Sequence, residues 1–301
     1  MIENKKILVT GQNGFIGSAF VKFIHEQYPD WEIDTVSLRD DNWKNMDFSS
    51  YHSVLHAAGK AHADTGTVTL EEKKEYYAIN TTLTKEVAKK AKTEGVRQFI
   101  YLSSIIIYGD SAPYGKEKQI SASTPLHPSN CYGDSKKKAD LYVQKLNQND
   151  FRTAVIRLPM IYGQGSKGNY SLLSKAARRL PIFPKIQNQR SMLYIENLCE
   201  LIREIIEHCD SGIFFPQNSE YVATYEIVRE IAKAHNHRIY FISGFDTLFT
   251  TIGNNKGKAG QLVNKVFGNL SYVKEISQYR MNEYQKYSFR ESVSCTEKKL
   301  W

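Results

Sequence analysis

The stretch that decides the fold is Lys6-Ile-Leu-Val-Thr-Gly-Gln-Asn-Gly-Phe-Ile-Gly17. A short apolar run suited to a buried strand leads into glycines spaced Gly11-x-x-Gly14-x-x-Gly17, and a helical apolar pattern opens at Phe15. A strand that turns on glycine into a helix is shaped for a pyrophosphate. Gly11 permits the tight turn, Gly14 lets phosphates approach the backbone, and Gly17 lets helix and strand pack closely. The N–H groups and dipole of the helix N-terminus favour an anion there. A tight turn that holds no ligand has the same local form.

Outward from this turn, short apolar runs alternate with helical patterns. Strands are expected at 6–10, 34–38, 53–58, 98–102 and 154–158, with a helix over 15–25. Ile79, Leu83, Val87 and Ala91 fall on one helical face, and Gly95 can end that helix in the left-handed conformation. Beyond Pro159 the pattern changes. Residues 163–169 read as a loop, Pro181 and Pro184 break the segment after it, 196–208 reads as a helix and 212–215 as a strand. The last third is aromatic, basic and less periodic. The expectation is an α/β protein: a Rossmann-type doubly wound parallel sheet over 1–160, also using about 190–215. A smaller C-terminal α/β substrate-binding part would be built from 161–189 and 216–301.

The chain has 301 residues, 41% of them hydrophobic, enough for one large core or a main domain with a smaller one attached. No apolar run approaches bilayer-spanning length, and the first residues lack the apolar centre of a secretory signal. A cytoplasmic protein with no membrane span is expected. Cys131, Cys199, Cys209 and Cys295 show no metal-ligand spacing and read as reduced and unpaired, so no metal is expected. The net charge is +8, with lysines dispersed over many segments. That suits ordinary surface and anionic small molecules better than nucleic acid.

The residues after the second strand select the cofactor. An arginine there accommodates a 2′-phosphate and a carboxylate bonds a free ribose hydroxyl. Arg39 in that position favours NADP; a register slip to Asp40 favours NAD. Asp47 and Phe48 precede the next strand and could sit beside an adenine. Two charges on an exposed loop are the plain alternative.

Tyr132 and Lys136 in Tyr-Gly-Asp-Ser-Lys share one helix face. A free phenol ionises near pH 10, and an adjacent ammonium lowers that value. Upstream, Ser103-Ser104 lies at the carboxyl end of a predicted central strand, where ligands of such sheets bind. A serine hydroxyl there can bond the oxygen that the tyrosine protonates or deprotonates. Ser103 itself reads better as a structural residue.

With Thr10–Gly17, His56-Ala-Ala-Gly59, Asn80, Ser103-Ser104, Tyr132-x-x-x-Lys136, Arg157-x-Pro159 and Tyr162-Gly163 in order, the chain resembles an extended short-chain dehydrogenase/reductase of the nucleotide-sugar epimerase/dehydratase family. The resemblance implies catalysis by Ser104, Tyr132 and Lys136. It implies a cofactor, NAD or NADP, seated on Gly11, Asn13, Gly14, Phe15, Ile16, Gly17, Ala57, Ala58, Gly59 and Asn80, with Pro159 approaching the nicotinamide. The stretches Val54–His62, Gly165–Tyr170 and Asn188–Leu198 are similar to a bacterial subgroup of surface-polysaccharide pathways, containing UDP-sugar 4-epimerases and UDP-4-keto-sugar reductases. By that likeness Asn169 and Arg190 contact the diphosphate of a UDP-sugar, a task suited to a guanidinium fork. Family members are commonly dimers, so a homodimer is expected.

Met160, Ser191 and Arg39 depart from the pattern of UDP-galactose epimerases and fit the reductase-like members better. Hydride transfer at C4 of a UDP-sugar, by a 4-epimerase or a 4-ketoreductase, is the leading expectation. A cofactor-sensing regulatory protein of the same fold is the alternative. Apolar Ile105 and Ile106 argue against a dehydratase, which wants acids after the serine.

Overall fold

The computed structural model describes residues 5–61, 68–255 and 257–298. His62, the last residue of one family-like stretch, lies outside them, as do the first four residues. In chain order the strands are β1 (Lys6–Thr10), β2 (Glu32–Val36), β3 (Ser53–His56), β4 (Gln98–Ser104), β5 (Gln119–Ile120), β6 (Arg152–Leu158), β7 (Met160–Tyr162), β8 (Ile182–Pro184), β9 (Met192–Tyr194), β10 (Gly212–Phe214), β11 (Tyr240–Ile242) and β12 (Ser271–Tyr272). The α-helices are α1 (Phe15–Gln27), α2 (Leu70–Tyr77), α3 (Thr84–Thr93), α4 (Cys131–Lys145), α5 (Asn169–Arg179), α6 (Ile195–Glu207), α7 (Thr224–Ala234), α8 (Asp246–Gly253), α9 (Lys258–Phe267) and α10 (Phe289–Glu297).

Two compact units are formed. The first takes the chain through Gly109, then Leu126–Leu158 and Ile195–Pro216. It holds a parallel sheet of six strands in the order β10-β6-β4-β3-β1-β2. The sheet is a Rossmann-type α/β arrangement. Each central strand alternates its side chains between two buried faces. Leu8, Val54, Phe99, Tyr101 and Val155 join Val87, Ala88 and Ala91 of α3 and Ala139 and Val143 of α4 in one core. Ile7, Val9, Leu55, Ile100 and Ile156 point the other way and are equally buried. On that side α1 and α6 pack together and bury Phe20, Ile24, Leu198 and Ile202.

Strand order reverses at β1: β2 pairs on one side of it and β3 on the other. In such a sheet the crevice beyond the carboxyl ends of these strands receives ligands. The glycine turn after β1 and the Ala57-Ala58-Gly59 segment after β3 flank that point. The helix expected from Ile79 to Ala91 is not continuous. A π-helical turn over Ala78–Leu83 interrupts it between α2 and α3, and Asn80 lies in that turn. Such widened turns recur where a side chain must be re-aimed.

The second unit comprises Asp110–Pro125, Pro159–Tyr194 and the chain from Gln217 onward. It contains three two-stranded parallel pairs, β11-β8, β12-β5 and β7-β9, with helices α5 and α7 to α10. Residues 110–125, read from the sequence as part of the first domain, belong here through β5, whose partner β12 lies far along the chain.

Candidate active site

The glycine turn has the geometry its spacing suggests. Gly11 has φ +77°, a conformation that favours glycine, and a Cβ on it would lie 2.5 Å from the Ala58 nitrogen. A Cβ on Gly17 would lie 2.4 Å from the Gly11 carbonyl oxygen. Gly14 donates its N–H to that same oxygen at 2.9 Å and is the N-cap of α1. It contributes no side-chain acceptor, and the first turn of α1 carries no acidic residue. The open N–H groups of Phe15, Ile16 and Gly17 therefore present a positive helix end to an anion. Backbone contact tight enough to exclude a methyl group, beside an uncapped helix terminus, fits a dinucleotide pyrophosphate.

Gly59 completes one wall. A Cβ there would meet Lys136 Nζ at 3.1 Å and Asn80 Oδ1 at 3.2 Å. Buried Asn80 fixes this segment: Oδ1 accepts from Lys60 N at 2.8 Å, and Nδ2 donates to the Lys60 carbonyl at 3.0 Å and to Ser135 Oγ at 3.1 Å. Below it, His56 sits between Thr10 Oγ1 at 2.9 Å and Thr84 Oγ1 at 3.0 Å. Burial, with the Lys136 charge adding, pushes this imidazole down to about 3, so it is neutral at physiological pH.

The residues after β2 sort themselves by hydrogen bonding. Asp40 Oδ1 accepts from Asn42 N at 3.0 Å and caps a 3-10 turn. That turn occupies the carboxylate proposed to select NAD. Arg39 is exposed, and its backbone N–H donates to Ser37 Oγ at 3.3 Å. Asp47 is exposed, and hydrogen bonds from Ser49 hold its carboxyl below the usual range. For Phe48 the structure corrects the sequence reading. Its ring is fully buried in the core, edge-on to Tyr51 at 6.5 Å, and its N–H donates to Glu94 at 2.7 Å. Neither a ring face nor that N–H is open to an adenine.

Ser104 ends β4, and Tyr132 and Lys136 stand one turn apart near the start of α4. α4 starts there because Asn130 caps it, accepting from Gly133 N at 2.8 Å. Gly133 is required by crowding: a Cβ would lie 2.9 Å from the Ile106 carbonyl oxygen. The Ser104 hydroxyl is close enough to the Tyr132 phenol to favour its ionised form. Burial raises that phenol above its ordinary value, and the nearby Ser104 hydroxyl partly offsets this. Lys136 is buried, donates to the Leu102 carbonyl at 2.9 Å and lies 5.0 Å over the Tyr101 ring. Burial lowers its ammonium to about 8, opposed by Asp140.

Asp140 is the residue that the sequence reading missed. It repeats the Tyr132–Lys136 spacing one turn further along α4, and that spacing was the available signal. It is wholly buried and accepts from Ser103 Oγ at 2.6 Å, from Arg157 Nε at 3.0 Å and from Arg157 Nη2 at 2.8 Å. Arg157 Nη1 also donates to the Tyr108 hydroxyl at 2.6 Å. Ser103 is thus a strand-to-helix brace, as its sequence position suggested.

Asn169 and Arg190, expected at the substrate diphosphate, and Pro159, expected at the nicotinamide, lie in the second unit, whereas Ser104 lies in the first. Pro159 directly follows β6 and is buried, and Asn169 is the first residue of α5. Arg190 is buried, donating to the Lys265 and Gly268 carbonyls at 2.8 and 3.2 Å and to Ser111 Oγ at 3.4 Å. Among the described residues no carboxylate pairs with it, and burial lowers it only to about 10. A buried cation without a counter-charge is costly and is relieved by an anion.

Uncapped glycine turn and crowded β3 segment, with Ser104, Tyr132 and Lys136 close to the end of β4, fit a dinucleotide-binding α/β protein. Residues 7–216 match the NAD dependent epimerase/dehydratase family, and the chain belongs to that family. Its cofactor is NAD or NADP. The chain is 29% identical over 257 residues to a UDP-glucose 4-epimerase of Vibrio cholerae, covering 76% of each. It is 25% identical over 228 residues to the N-acetyl-alpha-D-glucosaminyl-diphospho-ditrans,octacis-undecaprenol 4-epimerase of Escherichia coli O157:H7, covering 69% of this chain and 65% of that one. Among solved structures, Bordetella bronchiseptica WbmG in complex with NAD superposes with a TM-score of 0.73 at 16% identity, over 98% of this chain and 93% of that one.

Proposed function

We propose that the protein transfers a hydride at C4 of a UDP-sugar, as a 4-epimerase or a 4-ketoreductase, in cell-surface polysaccharide synthesis. The observation that carries this reading is the gathering of Ser104 at the end of β4 with Tyr132 and buried Lys136 one turn apart on α4, Lys136 donating to the Leu102 carbonyl of the same strand.

In this reading Gly11, Asn13, Gly14, Phe15, Ile16 and Gly17 hold the pyrophosphate. Asp47 serves the adenosine end, and Arg39 takes the 2′-phosphate if NADP is used. Ala57, Ala58, Gly59, Asn80 and Pro159 line the rest. The nicotinamide, when bound, supplies the site that accepts or gives the hydride, and a positive charge in its oxidised form.

Tyr132 moves the proton at the C4 oxygen. Its raised pKa keeps the phenol protonated at neutral pH, ready to give a proton to a C4 carbonyl. To take a proton it must ionise, which positive charge beside it promotes. Lys136 supplies one such charge, and Ser104 donates to the phenolate or to the substrate oxygen. Asn169 and Arg190 bind the sugar diphosphate, which gives the buried guanidinium its counter-charge.

Tyr132→Phe tests the reading. Loss of a general acid–base should lower kcat by roughly 10²- to 10⁴-fold, with cofactor binding retained. UDP-glucose, UDP-GlcNAc and their 4-keto-6-deoxy derivatives, with NADH and NADPH, form the substrate panel. Tightly retained NAD marks an epimerase and exchangeable NADPH a reductase. A Tyr132→Phe protein that keeps its full biological output would instead favour cofactor sensing.

A further inference from the structure

Charge is unevenly spread along the second unit. Residues 159–194 contain six Lys and Arg and no Asp or Glu, and residues 231–274 contain six against the single carboxylate Asp246. The same segments carry apolar side chains on the outside.

In the β8–β11 pair, Ile182 is in register with Tyr240, Phe183 with Phe241, and Pro184 with Ile242. Phe183 and Phe241 turn inward, their rings 6.4 Å apart, and Phe183 packs on Phe267 at 5.9 Å. Phe267 in turn meets Phe249 of α8 at 5.0 Å. One aromatic layer therefore backs β8, β11, α8 and α9. Alternation then sends Ile182, Tyr240 and Ile242 to the opposite, outer face. Ile182 is 49% exposed, Tyr240 60% and Ile242 42%.

Exposed cations adjoin these two strands in the chain. Arg178, Arg179 and Leu180 are exposed immediately before β8, Lys185 follows it, and Arg238 precedes β11. None of these cations pairs with a carboxylate among the described residues. Elsewhere in the unit the pattern differs: Arg229 and Lys233 both pair with Glu230.

We propose that this face binds the surface of an anionic phospholipid bilayer. Apolar side chains among unpaired Lys and Arg, with a tyrosine between them, suit the headgroup boundary, where rings and aliphatic groups enter and cations meet phosphate. A nucleic acid would have no use for exposed Leu and Ile, and a protein partner would have to supply acids and apolar groups together. The inference does not depend on the catalytic reading.

Vesicle co-sedimentation of the whole protein tests it. The protein should pellet with phosphatidylcholine vesicles containing about 30% phosphatidylglycerol, at about 0.1 M salt, and not with phosphatidylcholine alone. Arg179→Glu with Arg238→Glu should weaken partitioning at least about tenfold. Ile182→Ser with Tyr240→Ser, at unchanged charge, should weaken it at least about fivefold. Unchanged cofactor binding certifies the fold of each variant. Should either pair misfold, Ile242→Ser with Lys185→Glu replaces it. Absent binding, equal binding to neutral vesicles, or binding that survives every pair overturns the proposal. So does self-association abolished by Tyr240→Ser without any vesicle binding, which would make the face a subunit interface.

Discussion

Lys136 is a buried cation one helical turn from Tyr132. It keeps one hydrogen bond to the Leu102 carbonyl, and burial lowers its ammonium to about 8. If the charge assists Tyr132, kcat/KM should fall as pH rises through about 8, where the folded protein loses that proton. Lys136→Arg keeps the charge and should move that limb upward while lowering the rate. A pH–rate profile of both proteins checks this. Tyr101, beneath Lys136, gives the opposite kind of prediction. Its hydroxyl is buried without a hydrogen-bond partner among the described residues. Tyr101→Phe removes an unsatisfied group and keeps the ring under the ammonium, so stability should hold or rise by about 1 kcal/mol. A tenfold loss of kcat at unchanged Tm would instead place that hydroxyl in the proton path.

Among the elements, the buried Asp140–Arg157 pair, with Ser103, ties β4, α4 and β6 together one helical turn from Lys136. Arg157→Met leaves Asp140 buried with its charge uncompensated, a loss of about 3–5 kcal/mol, read as a Tm fall of roughly 10 °C. Adding Asp140→Asn should recover part of that loss, and a double variant less stable than the single one would refute the ion-pair account. The sequence reading reached this level unevenly. The apolar runs of β1, β3, β4 and β6 and the glycine turn were legible because their signals are local. Asp140, on helix α4, was passed over because its partners Ser103 and Arg157 lie on strands β4 and β6. Phe48 was misread because its burial depends on Val87, Phe99 and other residues distant in the chain. The π-helical turn broke the helix because Asn80 satisfies the backbone of Lys60, a tertiary demand that helical periodicity does not report.

For the whole molecule, the first unit is assembled from separated pieces of chain. α6 packs on α1, with Tyr28 donating to Glu200 at 3.0 Å, and β10 pairs with β6. A chain ending at residue 160 lacks both, although it contains the glycine turn and the Ser–Tyr–Lys set. It should bind a hydrophobic dye and lose near-UV circular dichroism, whereas the full chain should not. A cofactor-binding, cooperatively folded fragment would show that α6 and β10 are dispensable. Sequence reasoning suggested this sharing through the helix near residue 200. It did not foresee that residues 110–125 leave the first unit, because the two-residue strand β5 has no pattern of its own.

Ribosomal synthesis gives the strand order a cost in time. β6 emerges with its outer edge bare and finds β10 only after residues 159–211 have been made, about 3–10 s at ordinary elongation rates. Throughout that interval a nascent chain with a nearly finished nucleotide seat carries an open, apolar parallel edge, the feature that recruits chaperones and seeds misassembly. Slowing translation across the middle of the message should therefore lower the yield of folded protein more than slowing it near the end.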